Sequence, residues 1–308
     1  WGYTRDYPHA RRATPIPKGQ GPDATDGNHP QRTVVEGNFI HNVGVFQKQA
    51  ACYFQAQTQG TTLRHNICFN GPRAGINFND GMGGGHRVER NLVFAMVRET
   101  ADHGPFNSWD RQPFQVLRDG RPTLIPATTV ITRNLLLNEA NPQEAVDNDD
   151  GSAYYETHHN FLPFSSGGLK SDFGGHDNTH HDNVYLNTDR CVYICAQLPG
   201  HVDRFYNNTC VLYARRPDYA KFGRPNHRAL TNRRQPAATA AAARTEAAGP
   251  GALPVMHDNR VYTLDGEATE DQRPVSYWQA RGHDVGTTVH PHPEEDELLA
   301  MGRRVLGM

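Results

Sequence analysis

An asparagine held in the same apolar frame recurs along the chain, and no other feature restricts the fold as strongly. The segments are Val35-Glu-Gly-Asn38-Phe-Ile, Leu63-Arg-His-Asn66-Ile-Cys, Val88-Glu-Arg-Asn91-Leu-Val, Ile131-Thr-Arg-Asn134-Leu-Leu, Thr157-His-His-Asn160-Phe-Leu, His180-His-Asp-Asn183-Val-Tyr, Phe205-Tyr-Asn-Asn208-Thr-Cys and Met256-His-Asp-Asn259-Arg-Val. Successive asparagines are 28, 25, 43, 26, 23, 25 and 51 residues apart. A period of this size points to a solenoid or a propeller. Each unit holds only short β-prone runs broken by Gly, Asn and Pro, which excludes helical repeats, and it is too short for a four-stranded propeller blade. Leucine-rich repeats share the period, but their spaced leucines are absent. The fold class that remains is all-β: a right-handed parallel β-helix with long inserted loops and a short C-terminal capping helix. In that architecture the asparagine is expected to turn the corner between strands in the left-handed backbone region, with its side-chain amide stacked from coil to coil.

The boundaries follow from breaks in the pattern. Residues 1–32 are rich in Pro, Gly and charge and read as an arm or cap; residues 33–300 carry the repeat. Within them 228–254 is an Ala-, Pro- and Gly-rich insertion without an apolar stripe, read as a mobile loop. Residues 296–308 have helical apolar spacing and are expected to close the open end of the solenoid. The chain begins at Trp1, as a processed or incomplete chain would, and no apolar run approaches the length of a membrane span. A net charge of -2 builds no field for nucleic acid. The five cysteines lack a paired zinc spacing; they read mainly as buried thiols in a β core, with room for a disulfide or two.

The long interval between Asn91 and Asn134 holds the densest chemistry, Glu99-Thr-Ala-Asp-His-Gly-Pro-Phe-Asn-Ser-Trp-Asp-Arg-Gln-Pro-Phe114, which reads as a protruding loop broken by Gly104, Pro105 and Pro113. Counted from the repeating asparagines, Asp80, Asp102, Asp149, Asp150 and Asp172 fall at similar offsets, with Lys170, His103, His176 and Tyr154 close by. Stacked coils lie roughly 4.8 Å apart, so these residues are expected to form one acidic column. Like charges in one site raise a pKa or bind a cation, which is the behaviour of a functional site rather than a structural ladder.

Two reactions suit such a cleft. Paired carboxylates hydrolyse glycosidic bonds; alternatively, Ca²⁺ held by acidic residues and a Lys170 or Arg base would carry out lyase or epimerase chemistry on a uronate polymer. A third reading is a non-catalytic β-helix that binds glycans or builds a surface filament through self-association. The catalytic candidates are Asp102, Asp149 and Asp150. His103, Asn107, Trp109, Asp110, Arg111, Tyr154, Lys170 and Asp172 are candidates for substrate binding. Asp80 is a Ca²⁺ ligand only under the lyase reading; no other cofactor is called for. Phe106 reads as packing, and His158-His159 and His180-His181 as turn or surface residues beside the corner. Asn207-Asn-Thr209 matches an N-glycosylation acceptor, in keeping with a secreted or cell-surface protein. Partners are then a polysaccharide or glycan, with neither nucleic acid nor membrane insertion.

Four segments, Asn79-Asp-Gly-Met-Gly-Gly-Gly85, Glu99 to Arg111, Asp147-Asn-Asp-Asp-Gly-Ser152 and Gly168-Leu-Lys-Ser-Asp172, resemble signature segments of the right-handed parallel β-helix repeat proteins related to pectate lyases and β-helix glycoside hydrolases. The resemblance spans about residues 33 to 300 and implies an acid at Asp102 with a nucleophile or base at Asp149 or Asp150.

Overall fold

The computed structural model describes residues 29–79, 83–100, 102–109, 115–118, 121–124, 126–137, 144–149, 151–172, 175–186, 189–195, 201–223 and 253–308. Asp80, Asp110, Arg111, Asp150, most of the N-terminal arm and nearly all of the Ala-rich insertion lie outside these residues. The described chain winds into a parallel β-solenoid of three sheets. The first has 8 strands, from Val34–Glu36 to Val255–His257. The second has 9, from Phe39–His41 to Thr288–Pro291. The third has 9, from Tyr53–Ala56 through Asp218–Gly223 to a short antiparallel pair, Thr269–Glu270 and Arg273–Pro274. Each coil contributes one strand to each sheet, and the neighbour in the sheet is the strand one coil later.

Because side chains alternate across a strand, one column per sheet faces inward. In the first sheet it is Val35, Leu63, Val88, Ile131, Thr157, His180, Phe205 and Met256. In the third it begins Tyr53, Ile76, Phe106, Val146, Leu169 and Val192. His180 is therefore a core residue with no exposed surface, not the turn or surface residue its sequence neighbourhood suggests. Its outward neighbour His181 does lie at the surface, stacked between His158 and Tyr206 with ring centroids 5.1 and 5.0 Å apart.

The asparagine ladder forms as expected, but the left-handed residue is the one before it. Gly37, His65, Arg90, Arg133, His159, Asp182, Asn207 and Asp258 all have φ between 53° and 68°. Each asparagine then turns inward: Asn160 donates its backbone N–H to Asn183 Oδ1 at 3.0 Å and its amide to Ile131 O at 2.9 Å and Asn183 Oδ1 at 3.0 Å. The division is physical: the αL position at the outside of the corner tolerates any short polar or solvated side chain, whereas the inner position must satisfy buried backbone groups. The ladder runs from Asn38 to Asn259 and ends on Thr287 Oγ1, 2.9 Å from the Asn259 N–H.

Two disulfides, Cys52–Cys68 and Cys191–Cys210, replace the buried free thiols expected for four of the cysteines. Both sit where third-sheet and second-sheet segments meet inside the coil, close enough for cross-linking. The C-terminal helix, Glu295–Leu306, has Glu295, Asp296 and Glu297 in its first turn, Arg303 and Arg304 in its last, and Gly307 left-handed beyond it, all favourable to its ends. It does not close the end of the solenoid. Leu298 and Met301 pack on Phe161, Leu186, Val211 and Tyr262 of the second sheet, and a side chain at Gly302 would collide with the Phe161 ring. The short helix Val275–Gln279 sits at the C-terminal end instead, with Val275 in the main core and Trp278 edge-on to Phe222. No helix among the described residues is long and apolar enough to cross a membrane.

Candidate functional site

The outward column of the third sheet is polar where the inward one is apolar. It runs Phe54, Asn77, Asn107, Asp147, Lys170, Tyr193 and Lys221. Phe106–Trp109 is thus a strand of the sheet and not part of a protruding loop. Later in the interval Gln115–Arg118 and Arg121–Leu124 form an antiparallel pair. Phe106 packs in the core, and Trp109 ends the strand half-buried.

Lys170 is the hub. Its Nζ lies 2.9 Å from Asp147 Oδ1, 2.9 Å from Asp149 Oδ1 and 3.5 Å from Asp172 Oδ2. Asp147 and Lys170 face each other across two strands, Asp149 follows Asp147 by one β period, and Asp172 follows Lys170 by one. Burial opposes the ammonium charge, but Asp147, Asp172 and Asp149 together outweigh it and hold the Lys170 pKa well above its ordinary value. On the other side His103 Nδ1 is 3.6 Å from Asp147 Oδ2, and His103 Nε2 is 3.7 Å from Asp102 Oδ2. Asp102 also takes the Arg73 guanidinium at 2.6 Å.

The His103 turn reaches this position because of Gly104. A Cβ there would lie 1.8 Å from the Glu144 carbonyl oxygen of the next coil, so only glycine lets the two backbones approach. His103 itself adopts φ 82°, which swings its ring over Asp147. Beneath the site the interior is polar: Asn148 donates to Ser108 Oγ at 2.9 Å, Ser108 to Ser152 Oγ at 2.9 Å, and Ser171 to Asp203 Oδ2 at 2.7 Å. Asp203 is fully buried, and burial pushes its pKa up to about 7.

Of the residues expected at the site, Asp102, His103, Asp149, Lys170 and Asp172 come together, although Asp102 lies in the turn before its strand and Asp149 at the end of the neighbouring one, not in a single column. Asn107 is buried and donates to Asn77 Oδ1 at 2.8 Å. Tyr154 turns away to meet His176 edge-on at 5.3 Å. Asn207 is exposed on its corner, as an acceptor for glycosylation must be.

Asp147, Arg73 and Asn77 were not among the expected site residues. For Asp147 the signal was available: residues 147 and 149 are two apart in a β-rich run and must share a face. Glu144, whose carboxyl is raised by burial and by Asp147 and steadied by Arg190 at 2.5 Å, gave no such signal.

Beside the cluster, toward the first coils, Gln49, Phe54, Arg73 and Asn77 line a shallow groove of about 20 Å³. Arg73 joins the groove to Asp102, so groove and cluster form one surface crossing several coils. His103, Asp147 and Asp149 present donor atoms within 4.8 Å of one another, as a metal site would. However, Asp147 and Asp149 each commit an oxygen to Lys170, and a cation that needs six to eight oxygen ligands does not fit beside that ammonium.

The chain matches no protein-family model, no curated protein and no solved structure.

Proposed function

We propose that the outer face of the third sheet is the active centre of a polysaccharide-active enzyme that hydrolyses glycosidic bonds. The observation that carries this reading is that Asp102 and Asp149, both reached by solvent, flank the imidazole of His103, while Asp147 and Lys170, which hold His103 and Asp149, are buried. Asp149, paired with Lys170, serves as nucleophile or base. Proton transfer to the leaving oxygen is assigned to His103, which Asp102 and Asp147 hold from two sides, since Asp102 itself is committed to the Arg73 guanidinium. Asp150 follows Asp149 in the sequence and remains part of the proposal. Phe54, largely exposed, and Arg73 offer a glycan an apolar ring face and a cation beside the cluster.

Hydrolysis is favoured over β-elimination because Lys170, held protonated by three carboxylates, is a poor base for a C5 proton. The parallel solenoid supports kinship with the pectate-lyase-like superfamily, and two disulfides support a secreted or cell-surface location.

Incubation with a panel of neutral and uronate polysaccharides tests this. Reducing ends should be released without an ultraviolet-absorbing unsaturated product. Asp102→Asn and Asp149→Asn should each lower turnover by roughly 10²- to 10⁴-fold with an unchanged melting temperature. An unsaturated product would transfer the site to elimination, and absence of release across the panel would leave a binding or scaffolding solenoid.

A further inference from the structure

A second constellation lies outside the Lys170 network, on the turns that lead from the third sheet back to the first. His176 and Asp177 belong to one coil and His201 to the next. The Nδ1 atoms of His176 and His201 both point at Asp177 Oδ2, at 2.9 and 2.6 Å. The two rings approach to 4.1 Å between centroids, and the three donor atoms lie within 4.8 Å of one another.

We infer that His176, Asp177 and His201 form a binding site for one divalent ion of the zinc class. Two imidazole nitrogens and one carboxylate oxygen are the donor set that such ions take, and that Ca²⁺ and Mg²⁺ do not. Metal–ligand bonds of about 2.0 to 2.2 Å place tetrahedral donors roughly 3.3 Å apart, so the two imidazole–carboxylate gaps need to open by only about 0.4 and 0.7 Å to admit the ion.

The supports are unequal, as in a site that keeps one coordination position open. His176 is 1% exposed and held by the Tyr154 ring, whereas the side chains of Asp177 and His201 are 27% and 26% exposed. A fourth position therefore faces solvent and takes water. Asp177 sits at φ 54°, a left-handed turn that lets consecutive residues 176 and 177 present donors to the same point.

The surface carries an internal control. His181–Asp182 and His257–Asp258 are also adjacent His–Asp pairs, at 2.6 and 2.8 Å, but neither has a second imidazole on the carboxylate oxygen. Both histidines stack in the aromatic row of the first sheet, and the Glu156 carboxylate beside His181 meets its other nitrogen, Nε2, at 3.3 Å, away from Asp182.

The test is titration of chelator-treated full-length protein with Zn²⁺ by calorimetry and with Co²⁺ by visible absorption. One equivalent should bind, with a cobalt d–d band. His201→Gln and Asp177→Asn should each weaken binding at least roughly tenfold, since each removes one of three protein ligands. His181→Gln and His257→Gln should leave it unchanged. Far-ultraviolet circular dichroism should show all four variants folded, as the substituted side chains are partly exposed. The inference is overturned if no stoichiometric ion binds, or if the ion binds with undiminished affinity to folded His201→Gln and Asp177→Asn; the carboxylate would then merely bridge two imidazoles by hydrogen bonds.

Discussion

Lys170 Nζ lies 2.9 Å from Oδ1 of Asp147, a carboxylate with no exposed surface, on the outward face of a sheet where solvent would be expected. Two charges on adjacent coils are thereby removed from water and depend on each other. Removing one partner of such a pair costs far more than the pair contributes. Lys170→Met should destabilise the protein by about 3–5 kcal/mol, and the double variant Lys170→Met with Asp147→Asn should recover a large part of that loss. Denaturant midpoints of the parent, the two single variants and the double variant measure both quantities; additive losses would contradict the coupling.

Gly104 is the second point of dependence. Gly104→Ala places a carbon 1.8 Å from Glu144 O, a contact that backbone must relieve on one coil or the other. A loss of about 2–4 kcal/mol is expected. Since the same shift carries His103 away from Asp147, activity in the surviving folded fraction should fall too. An unchanged melting temperature would show that the turn can move freely.

The asparagine ladder should weaken from its centre outward. Asn160 is fully buried and bonds to coils on both sides, whereas Asn38 ends the ladder and is exposed. Asn160→Ala strands several buried backbone and amide groups and should cost about 3 kcal/mol or more, against under about 1 kcal/mol for Asn38→Ala. Hydrogen exchange at the Asn134 N–H, whose acceptor is Asn160 Oδ1, should rise in the first variant only.

The pH dependence of stability turns on buried groups of opposite sign. Asp203, pushed up to about 7 by burial, keeps a proton that the unfolded chain has released above about pH 4, so stability falls as pH rises from about 4 to 7. His86 and His180, lowered to about 3 by burial, refuse a proton that the unfolded chain takes up below about pH 6.5, so stability falls as pH drops through that range. The effects oppose each other between about pH 4 and 6.5. Asp203→Asn keeps an acceptor for the Asn178 N–H and removes only the first effect. It should be more stable than the parent by about 2 kcal/mol at pH 7.5, with the gain fading toward pH 4, as read from urea midpoints across the range.

What the sequence alone determined was the period. Asn66, Asn91 and Asn134 announce coils because stacking identical corners requires a side chain that satisfies two neighbours at once, and that demand leaves the same letter in every repeat. The aspartate-rich turns were legible for a similar reason, since charged residues recurring at one offset must meet when coils stack. Tertiary structure decided which of them act together. His103 reaches Asp147 only through the close approach at Gly104, and Asp147 is sealed from solvent only because the coils stack in register. His176 meets His201 across two coils, and the C-terminal helix settles on Phe161 and not on the open end. These outcomes depend on distances between segments that are far apart in the chain, set by backbone packing that leaves no repeated residue type behind.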